Sequence, residues 1–135
     1  MRKQGCIHPQ IMAALTQCGH GDKVLIADGN FPLDAKCPDC EKVYLGLTAG
    51  EPTVTAVLSA LLQEINVEAA EVMMPDTSSR PEIFDEFQAM LGGMALKELS
   101  RYPFYDESGS KAVRLAILTG EQRTFANILL TVGVA

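Results

Sequence analysis

Apolar positions follow two rhythms along this chain. Ile11, Ala14, Leu15 and Cys18 recur at the spacing of a single helical face. Pro9 suits the first position of such a helix, so the pattern predicts a helix starting at Pro9 with His8 as its cap. Ile7 is placed to fold back on the apolar face as a staple, and Gly19 to end the helix in the left-handed conformation. The rhythm then changes. Lys23-Val24-Leu25-Ile26-Ala27 is a short apolar run with β-branched members, which predicts a buried strand. Asp28 falls at the C-terminal end of that strand, and Gly29 lets the chain turn sharply after it.

Residues 30–42 carry Pro32 and Pro38 and read as loop. Residues 43–47 read as a strand, stopped by Gly50-Glu51-Pro52. Residues 53–65 form the strongest helical pattern, with Val54, Val57, Leu58, Leu61, Leu62 and Ile65 in one stripe. A strand over 69–74 ends at Pro75, and a second helix over 80–91 is apolar at Ile83, Phe84, Phe87 and Met90. Residues 96–105 hold aromatics around Arg101 and Pro103 and fit strand or loop. Residues 113–118 are a strand closed by Thr119-Gly120-Glu121, and 126–130 a final strand or short helix. Helices alternating with buried strands predict one α/β domain over residues 1–135, a mixed sheet with helices on both faces in three α/β/α layers.

A length of 135 residues suffices for one domain with a real core, and 47% apolar against 21% charged residues reads as globular. No apolar run approaches the roughly 18 to 20 residues that span a bilayer. The basic start Met1-Arg2-Lys3 gives way to His8-Pro9-Gln10 and does not read as a signal peptide, so a cytoplasmic location is expected and no membrane partner. A net charge of −6, with scattered Lys and Arg, opposes a nucleic-acid partner, which would need a positive surface.

Cys37-Pro38-Asp39-Cys40 is a CxxC pair. Structural zinc draws on two compact pairs, and Cys18-x-His20 is a poor second one. A redox motif would normally open a helix, and this pair precedes a strand. Reduced surface-loop cysteines are therefore the leading reading, ahead of a zinc or disulfide staple and of redox chemistry. No metal or other cofactor is expected.

His20 stands between Gly19 and Gly21, which leaves its ring unshielded by neighbouring side chains. It could simply satisfy the carbonyls of a helix end. Asp28 could likewise be a turn residue capping Asn30. Both flank one strand, and five residues are about 16 Å long, a separation that a site built between subunits would bypass.

The ordered set Gly19-His20-Gly21-Asp22-Lys23, Ala27-Asp28, Gly50-Glu51-Pro52, Arg101-Tyr102-Pro103-Phe104-Tyr105, Ile117-Leu118-Thr119-Gly120-Glu121 and Ala126-Asn127-Ile128-Leu129-Leu130 resembles the D-ribose pyranase and L-fucose mutarotase family over nearly the whole chain. The resemblance implies that His20 is the proton donor. It implies sugar-binding roles for Asp28, for Arg101 ahead of Phe104-Tyr105-Asp106, and for the triplet Phe125-Ala126-Asn127. It also implies a ring-like homo-oligomer, commonly a decamer, with sites at subunit boundaries. Phe125 departs from the family pattern, which places a tyrosine there. Substrate choice has then changed, or Tyr102 or Tyr105 supplies the hydroxyl.

The implied chemistry is interconversion of anomers, and of pyranose and furanose rings, by opening a reducing sugar to its aldehyde and closing it again. One proton goes to the ring oxygen and one leaves the anomeric hydroxyl. Histidine exchanges protons near neutral pH, and positioned acid–base catalysis contributes about 10² to 10⁴-fold. Arg101 and the Phe-Tyr-acid stretch favour L-fucose. Ala126 in the triplet favours a D-ribose pyranase. A non-catalytic sugar-binding protein is the reading from another class, prompted by Phe125.

Overall fold

The computed structural model describes residues 1–77 and 79–135. Helix α1 (Pro9–Gln17) has Pro9 in its first turn, and His8 caps it, Nδ1 accepting from the Ile11 N–H at 3.3 Å. Ile11, Ala14 and Leu15 are buried along one face. Two local expectations are overturned. Ile7 is 59% exposed rather than stapled. The helix ends through an extended Cys18, and the left-handed glycine is Gly21 at φ +90°, not Gly19. The Gly19 N–H instead donates to the Asp22 carboxylate at 2.8 Å and the Asp22 N–H to the Gly19 carbonyl at 3.1 Å, and together these close the turn carrying His20.

Strand β1 (Lys23–Ala27) lies where the apolar run predicted it. Then follow α2 (Leu33–Lys36), β2 (Glu41–Tyr44), α3 (Val54–Leu61), β3 (Val67–Met73), α4 (Ile83–Met90), β4 (Lys97–Leu99), α5 (Arg101–Ser108), β5 (Val113–Leu118) and β6 (Ile128–Val132). The sheet order is β2-β5-β1-β6-β3-β4. β1 and β2 pair in parallel with β5, and β3 with β4, while β6 runs antiparallel between β1 and β3. The connection 119–127 is too short for a helical crossover, so it reverses the chain past the end of β1.

Alternation along β1 divides the core. Val24 and Ile26 join Leu115, Ile128 and the apolar faces of α1, α3 and α4. Leu25 and Ala27 join Leu129, Phe31 and Phe104 on the α2 and α5 side. A strand buried on both faces needs an unbroken apolar run, which is what the sequence carries there. The three-layer α/β/α expectation matches the structure.

The main addition is α5, within and beyond the segment read as strand or loop. Pro103 falls in its first turn, where the N–H has no helical partner to lose. Its apolar signal is thin, since only Phe104 and Ser108 are buried along it. Phe104 meets Phe31 edge-on at 6.2 Å between ring centroids. The segment read wholly as loop also contains α2, and Cys37 at its end is 1% exposed in the second core. The surface-loop reading of Cys37 is thereby overturned. The cause is close packing of α2 on the end of α5: a Cβ on Gly109 would lie 2.9 Å from the Lys36 carbonyl oxygen.

Because Phe104 is the one large side chain α5 buries, Phe104→Ala should destabilise the protein by about 3–5 kcal/mol. Urea unfolding followed by circular dichroism measures it, and a loss under about 1 kcal/mol would mean that α5 is held by other contacts.

Candidate active site

The turn after β5 builds the site's frame. Thr119 donates twice to the Ala27 carbonyl, through N–H at 3.0 Å and Oγ1 at 2.8 Å. The Gly29 N–H donates to the Glu121 carbonyl at 2.9 Å, so the end of β1 is tied to this turn on both sides of Asp28. Gly120 leaves no room for a side chain: a Cβ would sit 2.4 Å from the Glu51 carbonyl oxygen. The buried Glu121 carboxylate accepts from the Val54 N–H at the start of α3 and from Arg123. Burial opposes its charge, but the hydrogen bonds from Arg123 and from Val54 outweigh that and hold its pKa below the usual carboxylate value.

Beyond the turn the chain passes through Phe125 at φ +58°, a left-handed conformation that a bulky residue adopts only when its surroundings impose it. Arg101 contributes to those surroundings, its guanidinium 5.8 Å from the Phe125 ring centroid. Asn127 follows at the head of β6. Its Oδ1 accepts the Asp28 N–H at 2.8 Å, and Asp28 Oδ1 accepts the Asn30 N–H at 2.8 Å.

The structure thus brings four of the five sequence-derived residues together. Asp28, Arg101, Phe125 and Asn127 line one cavity of about 210 Å³, with Phe31 and Tyr105 among its other walls. That volume lies below the roughly 300–1,000 Å³ of drug-sized pockets and suits a ligand of one ring. Asp28 is 3% exposed, and desolvation raises its pKa against hydrogen bonds from Asn30, Asn127 and Ala126. Of the two tyrosines that could replace the missing phenol, Tyr105 lines the cavity, whereas Tyr102 is 70% exposed. Arg101 is not tied to Glu107, which binds Lys23 instead at 2.7 Å.

His20 lies elsewhere. It precedes β1, whereas Asp28 follows it, and it lines a separate cavity with Leu15, Val132 and the C-terminal residues. Its side chain is 58% exposed, and Nε2 sits 2.8 Å from Glu68 Oε2 on β3. Nothing in the linear pattern could pair residues 48 positions apart, so Glu68 escaped the sequence reading. Phe31 could have been found, as an apolar residue inside the polar turn after Asp28. Among the described residues, no three His, Cys, Asp or Glu side chains are grouped to hold a metal ion.

A family model described as the RbsD / FucU transport protein family matches residues 1–135. The chain belongs to this family. D-ribose pyranase 2 of Streptomyces griseus subsp. griseus is 33% identical over 136 residues, an alignment covering 99% of this chain and 98% of that protein. The structure of Bacillus subtilis RbsD complexed with D-ribose has a TM-score of 0.82 at 28% identity, over 100% and 99% of the two chains. The fucose mutarotase in complex with L-fucose from Streptococcus pneumoniae shares the fold, with a TM-score of 0.83 at 23% identity over 100% and 99%.

The Asp28 environment yields a signed prediction. A carboxyl whose folded pKa is raised stabilises the fold fully below its unfolded value of about 3.9, and that contribution is lost as pH rises through the folded value. Asp28→Asn should therefore match or exceed the native melting temperature at pH 7, with the difference vanishing as pH falls toward about 4. A large loss of stability at pH 7 would show that the charged carboxylate holds the turn together.

Proposed function

We propose that this chain interconverts the anomers, and the pyranose and furanose forms, of a reducing monosaccharide by acid–base ring opening. The observation that carries the reading is the Asp28 cavity. A buried carboxylate, an amide, a guanidinium and an aromatic ring converge there on one cavity. Asp28 and Asn127 offer acceptors and a donor to sugar hydroxyls. Arg101 offers a planar fork of donors, and Phe125 a face for the apolar side of the ring. Relatives named for D-ribose pyranase activity support the reaction class.

His20 acts as the proton donor in this reading. Its Nε2 contact with Glu68 fixes the ring and leaves Nδ1 to meet the sugar. Ring opening takes one proton to the ring oxygen and one from the anomeric hydroxyl. Closure reverses both transfers, so no net proton is consumed and no cofactor is needed.

His20 and Asp28 occupy different cavities at opposite ends of β1, so one copy does not bring both to one sugar. The proposed active form is accordingly a ring-like homo-oligomer, of decamer size by the family resemblance. In it, His20 of one copy completes the Asp28 cavity of another. The setting proposed is cytoplasmic; no helix among the described residues is long and apolar enough to cross a membrane.

L-fucose is the leading substrate, on the strength of Arg101 ahead of the Phe104-Tyr105-Asp106 stretch. D-ribose is the second, favoured by the names of the relatives. Ala126 does not separate them by contact, because it is fully buried.

His20→Ala should abolish accelerated anomer exchange, measured by saturation-transfer NMR over a sugar panel, with the fold intact. Mixing His20→Ala with Asp28→Asn chains, after dissociation and reassembly, should restore about one site in four if each site draws on two copies. No recovery in demonstrably mixed assemblies would count against shared sites. Acceleration at the native rate in His20→Ala would remove His20 from the mechanism. Sugar binding by the native chain without accelerated exchange would mark it as a non-catalytic binder.

Phe125→Tyr tests the departure from the family pattern. The half-buried ring faces the cavity, so the added hydroxyl should change sugar affinity or exchange rate roughly fivefold, the worth of one hydrogen bond near 1 kcal/mol, and barely move the melting temperature. A marked loss of stability with unchanged sugar handling would place the ring edge in the core.

A further inference from the structure

We propose that Cys37 and Cys40 form a reversible dithiol–disulfide site, with Cys40 as the attacking thiol, Cys37 as the resolving thiol, and a low-molecular-weight disulfide such as oxidised glutathione as the oxidant. The inference is independent of the sugar-site reading and rests on the geometry of the Cys37-Pro38-Asp39-Cys40 segment. Cys37 ends α2, and the chain turns at Pro38-Asp39. A four-residue turn keeps its end Cα atoms within about 7 Å, which overlaps the roughly 4.4–6.8 Å that a disulfide spans. Cys40 Sγ donates toward the Cys37 carbonyl oxygen at 3.7 Å, which folds its side chain back over the turn toward Cys37. Both are free.

The two sulfurs differ in access. Cys37 is 1% exposed and packs among Leu33, Phe31 and Phe104, whereas Cys40 is only half-buried. The surroundings divide the pair in the same sense. The hydrogen bond from Cys37 holds the Cys40 thiol below its usual range against the opposing effect of burial, and the positive charges of Lys42 and Arg114 add to this. That bond and burial push Cys37 up. Lys42 is itself paired with Asp34 at 2.9 Å, so its charge is partly offset. A half-buried thiol beside a fully buried one is the arrangement of an attacking thiol and its resolving partner.

The exchange balances in two steps. The Cys40 thiolate attacks one sulfur of the oxidant, forming a mixed disulfide and expelling one glutathione thiolate. Cys37, giving up its proton, then attacks Cys40 Sγ, closes the Cys37–Cys40 bond and expels the second glutathione. Two protein thiols are oxidised, the oxidant's single disulfide is reduced to two thiols, and the two protons pass to the leaving thiolates.

The test incubates the folded native chain with oxidised glutathione and maps the products by peptide mass spectrometry. The expected product has lost two hydrogens, carries the bond between Cys37 and Cys40, and is restored by dithiothreitol. In Cys37→Ser, a stable glutathione adduct should accumulate on Cys40. In Cys40→Ser, Cys37 should react about tenfold more slowly than Cys40 does in the native chain, because it lacks access. Cys37→Ala replaces Cys37→Ser if the melting curve shows that the serine variant is unfolded. A glutathione adduct that persists on Cys40 of the native chain would overturn the proposal. So would pairing through Cys6 or Cys18, or a pair left unreacted while Cys18 is modified.

Discussion

The turn Thr119-Gly120-Glu121 is the constraint on which the Asp28 end of the molecule depends. It lies at the C-terminal edge of the sheet, where β1, β2 and β5 end and α3 begins. The Thr119 hydroxyl and N–H saturate the last carbonyl of β1. The Gly120 N–H donates to the Pro52 carbonyl and its own carbonyl accepts from Gly50. Backbone packed this closely admits no Cβ, so glycine at 120 is a steric requirement rather than a matter of flexibility. The same turn redirects the chain toward β6 and leaves Phe125 in a left-handed conformation. The position of the aromatic wall thus follows from hydrogen bonds made several residues earlier.

Two buried carboxylates near this turn respond to burial in opposite ways. Glu121 is surrounded by donors, and its charge is stabilised by the side chain and N–H of Arg123 and by the Val54 N–H at the start of α3. Such a group contributes stability above its unfolded pKa and loses it as pH falls through its lowered value. Asp28 has fewer donors and is held above the usual range by desolvation. One carboxylate is therefore a structural anion, and the other keeps unspent hydrogen-bonding capacity facing a cavity. That difference separates a frame residue from a candidate ligand contact, although both are acids in turns beside strand ends.

The other end of β1 has its own half-buried charge. Lys23 opens the strand and lies between Glu71 on β3 and Glu107 on α5, at 2.6 and 2.7 Å. Burial lowers the pKa of such an amine, but here the hydrogen bonds to Glu107 and Glu71 prevail and raise it. The group fastens α5 to the sheet, and α5 carries Arg101 and Tyr105 to the Asp28 cavity. Glu107 is thereby withdrawn from Arg101, which is left to face the Phe125 ring. His20, a few residues before Lys23, stays outside this network, and its ring contacts the exposed Glu68.

Much of the architecture was legible in the sequence because the central strands are buried on both faces. Apolar runs at 23–27 and 113–118 can serve few other purposes, and the alternation with helical stripes required a layered α/β fold. Pro9 and His8 marked the start of α1 through local chemistry alone. Asp28 was recognisable as a residue at a strand end and by family resemblance, and Asn127 by the resemblance alone. What the sequence left open was settled by contacts distant along the chain. Helix α5 depends on a single large apolar side chain, so its burial against Phe31 decides its state where periodicity is silent. Cys37 looked like a loop residue until the close approach of Gly109 to Lys36 closed the core over it. Glu68 has no local signature, and only the pairing of β3 beside β6 brings it to His20. The separation of His20 from Asp28 follows from strand length, which the sequence already contained. The assembly of Asp28, Arg101 and Phe125 around one cavity required the sheet order, since hydrogen bonds between strands, not neighbours in sequence, set that distance.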